Sequence, residues 1–313
     1  MEKIATREAY GKALAELGEK YDFVVLDADL AAATKTGIFK KKFPERFFDC
    51  GIAEANMASV AAGLAAAGQI PFISSFAMFS AGRAFEQVRN SIAYPHLNVK
   101  IVGTHAGITV GEDGATHQCN EDLALMRSIP GMVVINPSDA TESRAAVEAA
   151  LKYDGPVYLR FSRFATPDLT SEVEGFSYEI GKGVTLAEGS DVTIVACGYM
   201  VHLAMEAKEM LAAEGIRATV IDMHTVKPLD TELLLAAARK TGAVVTAEEH
   251  SINGGLGEAV ASALSEAYPV PVMRVGVADT FGRSGKVPPL LEMYGLTSQK
   301  IVERAKAAIA LKK

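Results

Sequence analysis

The sequence predicts an α/β protein built as two α/β domains, with mostly parallel sheets covered by helices on both faces. Three observations carry this reading. The strand segments are short continuous apolar runs, as expected of strands buried on both faces; FVVLDAD (23–29), VKIVGTH (99–105) and MVVINP (132–137) are examples. Helical segments alternate with them along the chain. Near 163–190 the texture changes to RFATPDLTSEVEGFSYEIGKG, rich in Pro, Gly and acids and without periodicity, and a second run of strands and helices follows. The expected division is a first domain over 1–165, a linker and entry strand over 166–190, and a second domain over 191–313.

The elements follow in order. FVVLDAD is a strand, RFFDCG (46–51) leads into a small-residue helix, and PFISSF (71–76) is a strand. AGRAFEQVRNSIAY (81–94) reads as helix, VKIVGTH as strand, NEDLALMRSI (120–129) as helix and MVVINP as strand. SDATESRAAVEAAL (138–151) is a helix expected to open on a Ser cap, and PVYLRFS (156–162) closes the half. In the second half DVTIVACG, IRATVID, AVVTAEEH and PVMRVGV are strands. VHLAMEAKEMLAAEG, TELLLAAARKTG and GEAVASALSEAY are its helices. No repeat or low-complexity tract is evident.

The 313 residues carry a formal net charge of -7 and are 49% hydrophobic, with three cysteines. The charge argues against general nucleic-acid binding. No apolar run is long enough to span a bilayer. MEKIATREAYGKAL has no apolar signal region, so a cytoplasmic protein is expected. Cys50, Cys119 and Cys197 have no metal-finger spacing and are expected as free buried thiols.

Two stretches call for chemistry. DCGIAEANM (49–57) places one carboxylate, Glu54, at the head of the apolar segment ASVAAGLAAAG. A carboxyl group taken out of water must find a partner or keep its proton. The bland alternative is a helix-start acid on a wet surface. That helix has small residues on every face, which suggests burial all round. The second stretch, GTHAGITVGEDGATHQ (103–118), follows a strand and packs His105, Glu112, Asp113 and His117 among four glycines. Loops beyond the carboxyl ends of parallel strands are where ligands bind. The alternatives are a plain surface turn at Asp113-Gly114, or a zinc site whose spacing fits no common motif.

The set IAEANM, FAMFSAGRAFEQVRNS, THAGITVGEDGATHQ, INPSDATE and EEHSINGGLGEAV resembles the C-terminal half of transketolase. The resemblance covers essentially the whole chain, in the family's order. 1-Deoxyxylulose-5-phosphate synthase and the β subunit of 2-oxoacid dehydrogenase E1 share parts of it, but His105 favours transketolase, since the synthase carries Arg there. The resemblance implies a pyrimidine-binding domain followed by the transketolase C-terminal domain, with thiamine diphosphate as cofactor. It implies that Glu54 contacts the cofactor's aminopyrimidine and shares a proton with it, and that Phe79, supported by Phe76, stacks on that ring. Asp113 and His117 match residues that bind the donor sugar's hydroxyls, with His117 near the reacting carbons. His105, Arg163 and Arg7 match residues that hold the substrate phosphate, where an Arg fork suits phosphate oxygens. Arg160 is the competing candidate for Arg163.

Two departures qualify the resemblance. The family's phosphate site uses a serine where this chain reads DADLAAATKT, with Ala33 at that place. The chain also has no GDG followed some 25–30 residues later by Asn, the family's motif for Mg²⁺ and the cofactor's diphosphate. The implied function is one subunit of a split transketolase that transfers a two-carbon ketol unit between sugar phosphates. A partner chain would carry the GDG…Asn motif and hold Mg²⁺, and assembly is expected as two plus two. The alternatives are a β-type subunit of another two-chain enzyme of this cofactor class, such as an E1-like component or a specialised ketose-phosphate transketolase, and a non-catalytic assembly subunit. His224, His250 and GGLGE (254–258) are expected to serve folding, with Gly257-Glu258 opening a helix.

Overall fold

The computed structural model describes residues 3–312. The first half of the chain supplies strands β1 (Lys3–Ala5), β2 (Val24–Asp27), β3 (Phe47–Asp49), β4 (Pro71–Phe76), β5 (Lys100–Thr104), β6 (Val133–Ile135), β7 (Val157–Arg160) and β8 (Ala165–Pro167). The second half supplies β9 (Val184–Ala187), β10 (Val192–Ala196), β11 (Ala218–Asp222), β12 (Thr225–Lys227), β13 (Val244–Ser251) and β14 (Val272–Val277). One sheet has the order β12-β6-β7-β5-β4-β2-β3, parallel except for β12. The other has the order β14-β13-β10-β11-β9, parallel except for β9. β1 and β8 form a short antiparallel pair.

The mostly parallel architecture matches the expectation. β12 does not follow the sequence division, because it comes from the second half yet extends the first sheet, Thr225 pairing with Ile135. The apolar core joins the halves as well: Leu26, Met57 and Val134 share one buried cluster with Val195, Ile221, Val226 and Leu256. A second cluster covers the opposite face of the first sheet, where the helix Thr6–Leu17 packs on the helix Ala140–Lys152.

Local chemistry corrects several expectations. The cap of helix Ala140–Lys152 is Asp139, whose Oδ1 accepts from Glu142 N at 2.9 Å. Ser138 instead donates its N–H to Glu142 Oε2 at 2.6 Å, so the two residues brace each other across the first turn. Residues 78–93 are not one α-helix. Two π-helical turns, Met78–Arg83 and Val88–Ala93, flank the short α-helical turn Phe85–Gln87, with Ala84 N bonding back to Phe79 O at 3.1 Å. Such turns accommodate one extra residue and often re-aim side chains at sites. The helix Glu54–Ala66 is buried on one face only: Glu54, Met57, Ala58, Ala61 and Ala62 face the chain's own core. Cys119 and Cys197 are buried free thiols, but Cys50 is partly exposed. His224 and His250 are buried, and GGLGE leads into the helix Leu256–Ala267, whose first N–H groups donate to Glu248.

Where the halves meet, Asp139, Glu142 and Asp222 are all buried, and Tyr178 stacks on His224 at 4.2 Å. Neither Asp222 oxygen nor Glu142 Oε1 has a hydrogen-bond partner among the described residues. Burial, reinforced by Asp139, pushes Asp222 up to about 8, and burial with Asp222 nearby pushes Glu142 well above the carboxylate range. A carboxyl raised in the folded state binds its proton more tightly there than in the unfolded chain. Its stabilisation is full below the unfolded value of ~4 and is lost as pH rises through the folded value. The melting temperature should therefore fall as pH rises from about 5 to about 8 and level off above, and Asp222→Asn should flatten that fall. A wild-type profile that stays level over this range contradicts the assignment.

Candidate active site

Glu54 opens its helix at 2% exposure, and its partner is Arg83. Arg83 Nη1 lies 2.9 Å from Glu54 Oε2, and Ser75 Oγ stands 3.5 Å from Oε1. The buried carboxylate is thus met by a cation, at the end of the first π-helical turn. The Arg83 guanidinium also covers the Phe79 ring, 4.7 Å from its centroid. Arg83 lies within a quoted motif but was not singled out: it stands 29 residues from Glu54, and no local pattern announces that they meet.

Phe79 and Phe76 stack at 6.0 Å with their planes 14° apart. Phe76 is buried and lies against His105 at 3.9 Å, while Phe79 remains half-buried. His117 meets Phe79 edge-on at 5.3 Å, and its Nδ1 pairs with Thr116 Oγ1 at 2.9 Å. Glu54 is thereby linked through Arg83 to both phenylalanines, His105 and His117. A cleft of about 760 Å³ opens beside Phe79 and Arg83, with Thr116 and Phe281 in its walls.

His105 leads to a second group. Its Nε2 lies 2.8 Å from Arg7 Nη1 and its Nδ1 2.9 Å from Thr104 Oγ1. Burial first, and the charge of Arg7 second, lower its pKa to about 3. The ring is therefore neutral, with Nε2 accepting from Arg7 and Nδ1–H donating to Thr104. Arg7 also donates to Ala33 O at 2.8 Å, so position 33 contributes its backbone. Burial and the neighbouring Arg163 lower the Arg7 pKa. Arg163 is partly exposed, donating to Val110 O at 2.7 Å and lying 3.4 Å from Asp113 Oδ2.

Arg160 has a different environment. It is 3% exposed and ion-paired with Asp122 at 2.8 Å, and it donates to Glu249 O at 2.8 Å. Such a cation braces the fold and is not free for a ligand. Glu249, which the sequence reading did not single out, reaches the glycine loop from the second half. Thr109 N donates to its Oε1 at 2.6 Å, and burial pushes it up to about 7. It also explains Gly107, at φ 77°, where a Cβ would run into the Glu249 carboxyl. The available signal was two successive acids inside an apolar strand.

Two family models match the chain: the transketolase pyrimidine binding domain over residues 2–168 and the transketolase C-terminal domain over residues 181–301. The chain belongs to the transketolase family. A transketolase C-terminal section from Methanocaldococcus jannaschii is 51% identical over 300 residues, covering 95% of this chain and 94% of its own. A 6-deoxy-6-sulfo-D-fructose transketolase subunit from a Clostridium species is 50% identical, covering 96% and 92%. A solved structure described as a split gene transketolase, inactive β4 tetramer, superposes with a TM-score of 0.90 at 56% identity, covering all of both chains. This transketolase chain thus corresponds over its length to C-terminal subunits of split transketolases.

The family implies thiamine diphosphate. The buried carboxyl of Glu54, the half-open Phe79 ring and the cleft beside them suit the aminopyrimidine end of that cofactor. Among the described residues no group of three or more His, Cys, Asp or Glu side chains is placed to hold a metal ion. No helix among them is long and apolar enough to cross a membrane.

Proposed function

We propose that this chain is the pyrimidine-side subunit of a two-chain transketolase, and that a separate N-terminal subunit supplies the Mg²⁺ and diphosphate anchors. The reaction is transfer of a two-carbon ketol unit from a ketose phosphate to an aldose phosphate. The observation that carries this reading is the continuous chain of contacts from Glu54 through Arg83, Phe79, His117, Phe76 and His105 to Arg7. Thiamine diphosphate, when bound, supplies the nucleophilic carbon that carries the two-carbon unit. Glu54 holds and exchanges a proton at the aminopyrimidine, and Phe79 and Phe76 give that ring a dry face. His117, whose second nitrogen makes no hydrogen bond among the described residues, exchanges a proton with a sugar hydroxyl, and Asp113 accepts from a neighbouring one. Arg7, oriented by His105, and Arg163 hold the terminal anion of the sugar.

The Clostridium relative favours a second reading of the substrate, in which that terminal group is a sulfonate. Kinetics separate the anion site from the chemistry. In the assembled complex, Arg163→Ala should raise KM for phosphorylated sugars about tenfold and affect hydroxypyruvate much less. Equal losses on both kinds of substrate would refute the role given to Arg163.

Assembly is proposed through the outer face of the helix Glu54–Ala66, as two copies of this chain with two of the partner. That face carries Val60 at 42% exposure, with Ile52 at 76% just before it. A Cβ at Gly63 would meet nothing within 4 Å, so a larger residue there is harmless to the single chain. Ala61, by contrast, is fully buried in the chain's own core and cannot report on an interface. Gly63→Leu should weaken self-association by ~1–3 kcal/mol through overpacking, without lowering the melting temperature of the dissociated chain. Sedimentation velocity across a concentration series measures this, and an unchanged assembly would place the interface elsewhere.

A further inference from the structure

Three cations from three separate segments line one cleft of about 340 Å³: Arg7, Arg163 and Lys286. The first two belong to the site described above. Lys286 comes from the second half, immediately before the helix Val287–Tyr294. Its segment is docked on the glycine loop. Gln118 Nε2 donates to Arg283 O at 3.0 Å, and Ser284 Oγ donates to Glu112 O at 2.6 Å. Val287 packs so closely on Gly111 that a Cβ there would lie 3.2 Å from Val287 Cγ2. These contacts fix the backbone of Lys286 in the cleft wall.

The charges are unbalanced. Among the described residues, no carboxylate lies within ion-pair distance of Arg7 or Lys286. The pair of Arg163 with Asp113 is long, at 3.4 Å, and exposed on both sides. Glu112 also lines the cleft, but it is exposed and lies within ion-pair distance of none of the three cations. Three gathered cations with only one long, exposed ion pair among them suit an anion. Two guanidinium forks and one compact ammonium on a flexible stem together match a tetrahedral dianion better than a monoanion.

We infer that Lys286 completes an anion site with Arg7 and Arg163, so that the C-terminal domain itself reads the doubly charged terminal phosphate of the sugar substrate. This rests on the ketol-transfer reading of the site and adds a specificity-determining residue from a domain to which that reading gives none.

The test uses the complex with the N-terminal subunit, carrying wild-type chain, Lys286→Ala or Lys286→Arg. Lys286→Ala should raise KM for ketose and aldose phosphates about tenfold. It should shift hydroxypyruvate and glycolaldehyde far less, and Lys286→Arg should retain most of the wild-type KM. A sulfonate-terminated donor should lose less than its phosphate counterpart in Lys286→Ala, and an equal or greater loss overturns the dianion preference. Unchanged KM for phosphates, or equal changes for phosphorylated and unphosphorylated substrates, overturns the proposal. If the wild-type complex transfers no ketol unit from any donor, the transketolase reading has failed on its own. Calorimetric titration of inorganic phosphate into wild-type and Lys286→Ala chains then decides the anion site, since binding absent in the wild type, or equal in both, overturns it.

Discussion

Glu54→Gln in the assembled complex should lower the turnover rate by ~10²–10⁴ while leaving the fold in place. The carboxamide keeps the shape of the side chain and can still hydrogen-bond, but it has no carboxyl proton to exchange. The position allows a clean experiment. The carboxyl is 2% exposed, whereas its partner Arg83 is half-exposed and regains water when the ion pair is lost. The expected change in stability is therefore small, about 1 kcal/mol or less. C2 proton exchange of bound thiamine diphosphate reads the catalytic role directly, and thermal unfolding reads the structural one. Exchange that stays at the wild-type rate, or unfolding that shifts strongly while exchange does not, would make Glu54 a structural acid held by Arg83.

What the sequence discloses here depends on range. The buried strands are legible because a parallel strand covered on both faces must be apolar throughout, and runs such as VVLD and KIVGT have no other use. The glycine loop is legible because tight turns beyond a strand end need glycine, and its titratable residues cluster within sixteen positions. The strand β12 is not, since three residues at a sheet edge carry no periodicity and their partner lies 90 positions away, Thr225 against Ile135. The π-helical turns are equally hidden, because one extra residue barely disturbs an apolar pattern. Arg160 and Arg163 look interchangeable in the motif, and only burial separates the ion pair with Asp122 from the open guanidinium beside Asp113. Small residues on every face of the helix Glu54–Ala66 signalled full burial, yet composition does not say whose core covers each face. The structure assigns Ala61 to the chain's own core and leaves Gly63 open.

The central claim is that this chain carries the pyrimidine half of a cofactor site and needs a second chain for the diphosphate half. Two sequence and site features motivate it: Glu54, Phe76 and Phe79 suit the aminopyrimidine, and the 313 residues contain no GDG followed by Asn. An enzyme that cannot anchor its cofactor should show no turnover above background, however well its sugar site is formed. The most direct measurement is ketol transfer with thiamine diphosphate and Mg²⁺, comparing the purified chain alone with the chain reconstituted with an N-terminal subunit carrying the GDG…Asn motif. Activity that appears only on mixing, and rises to a plateau at equimolar subunits, is the predicted result; steady turnover by the purified chain alone would contradict it.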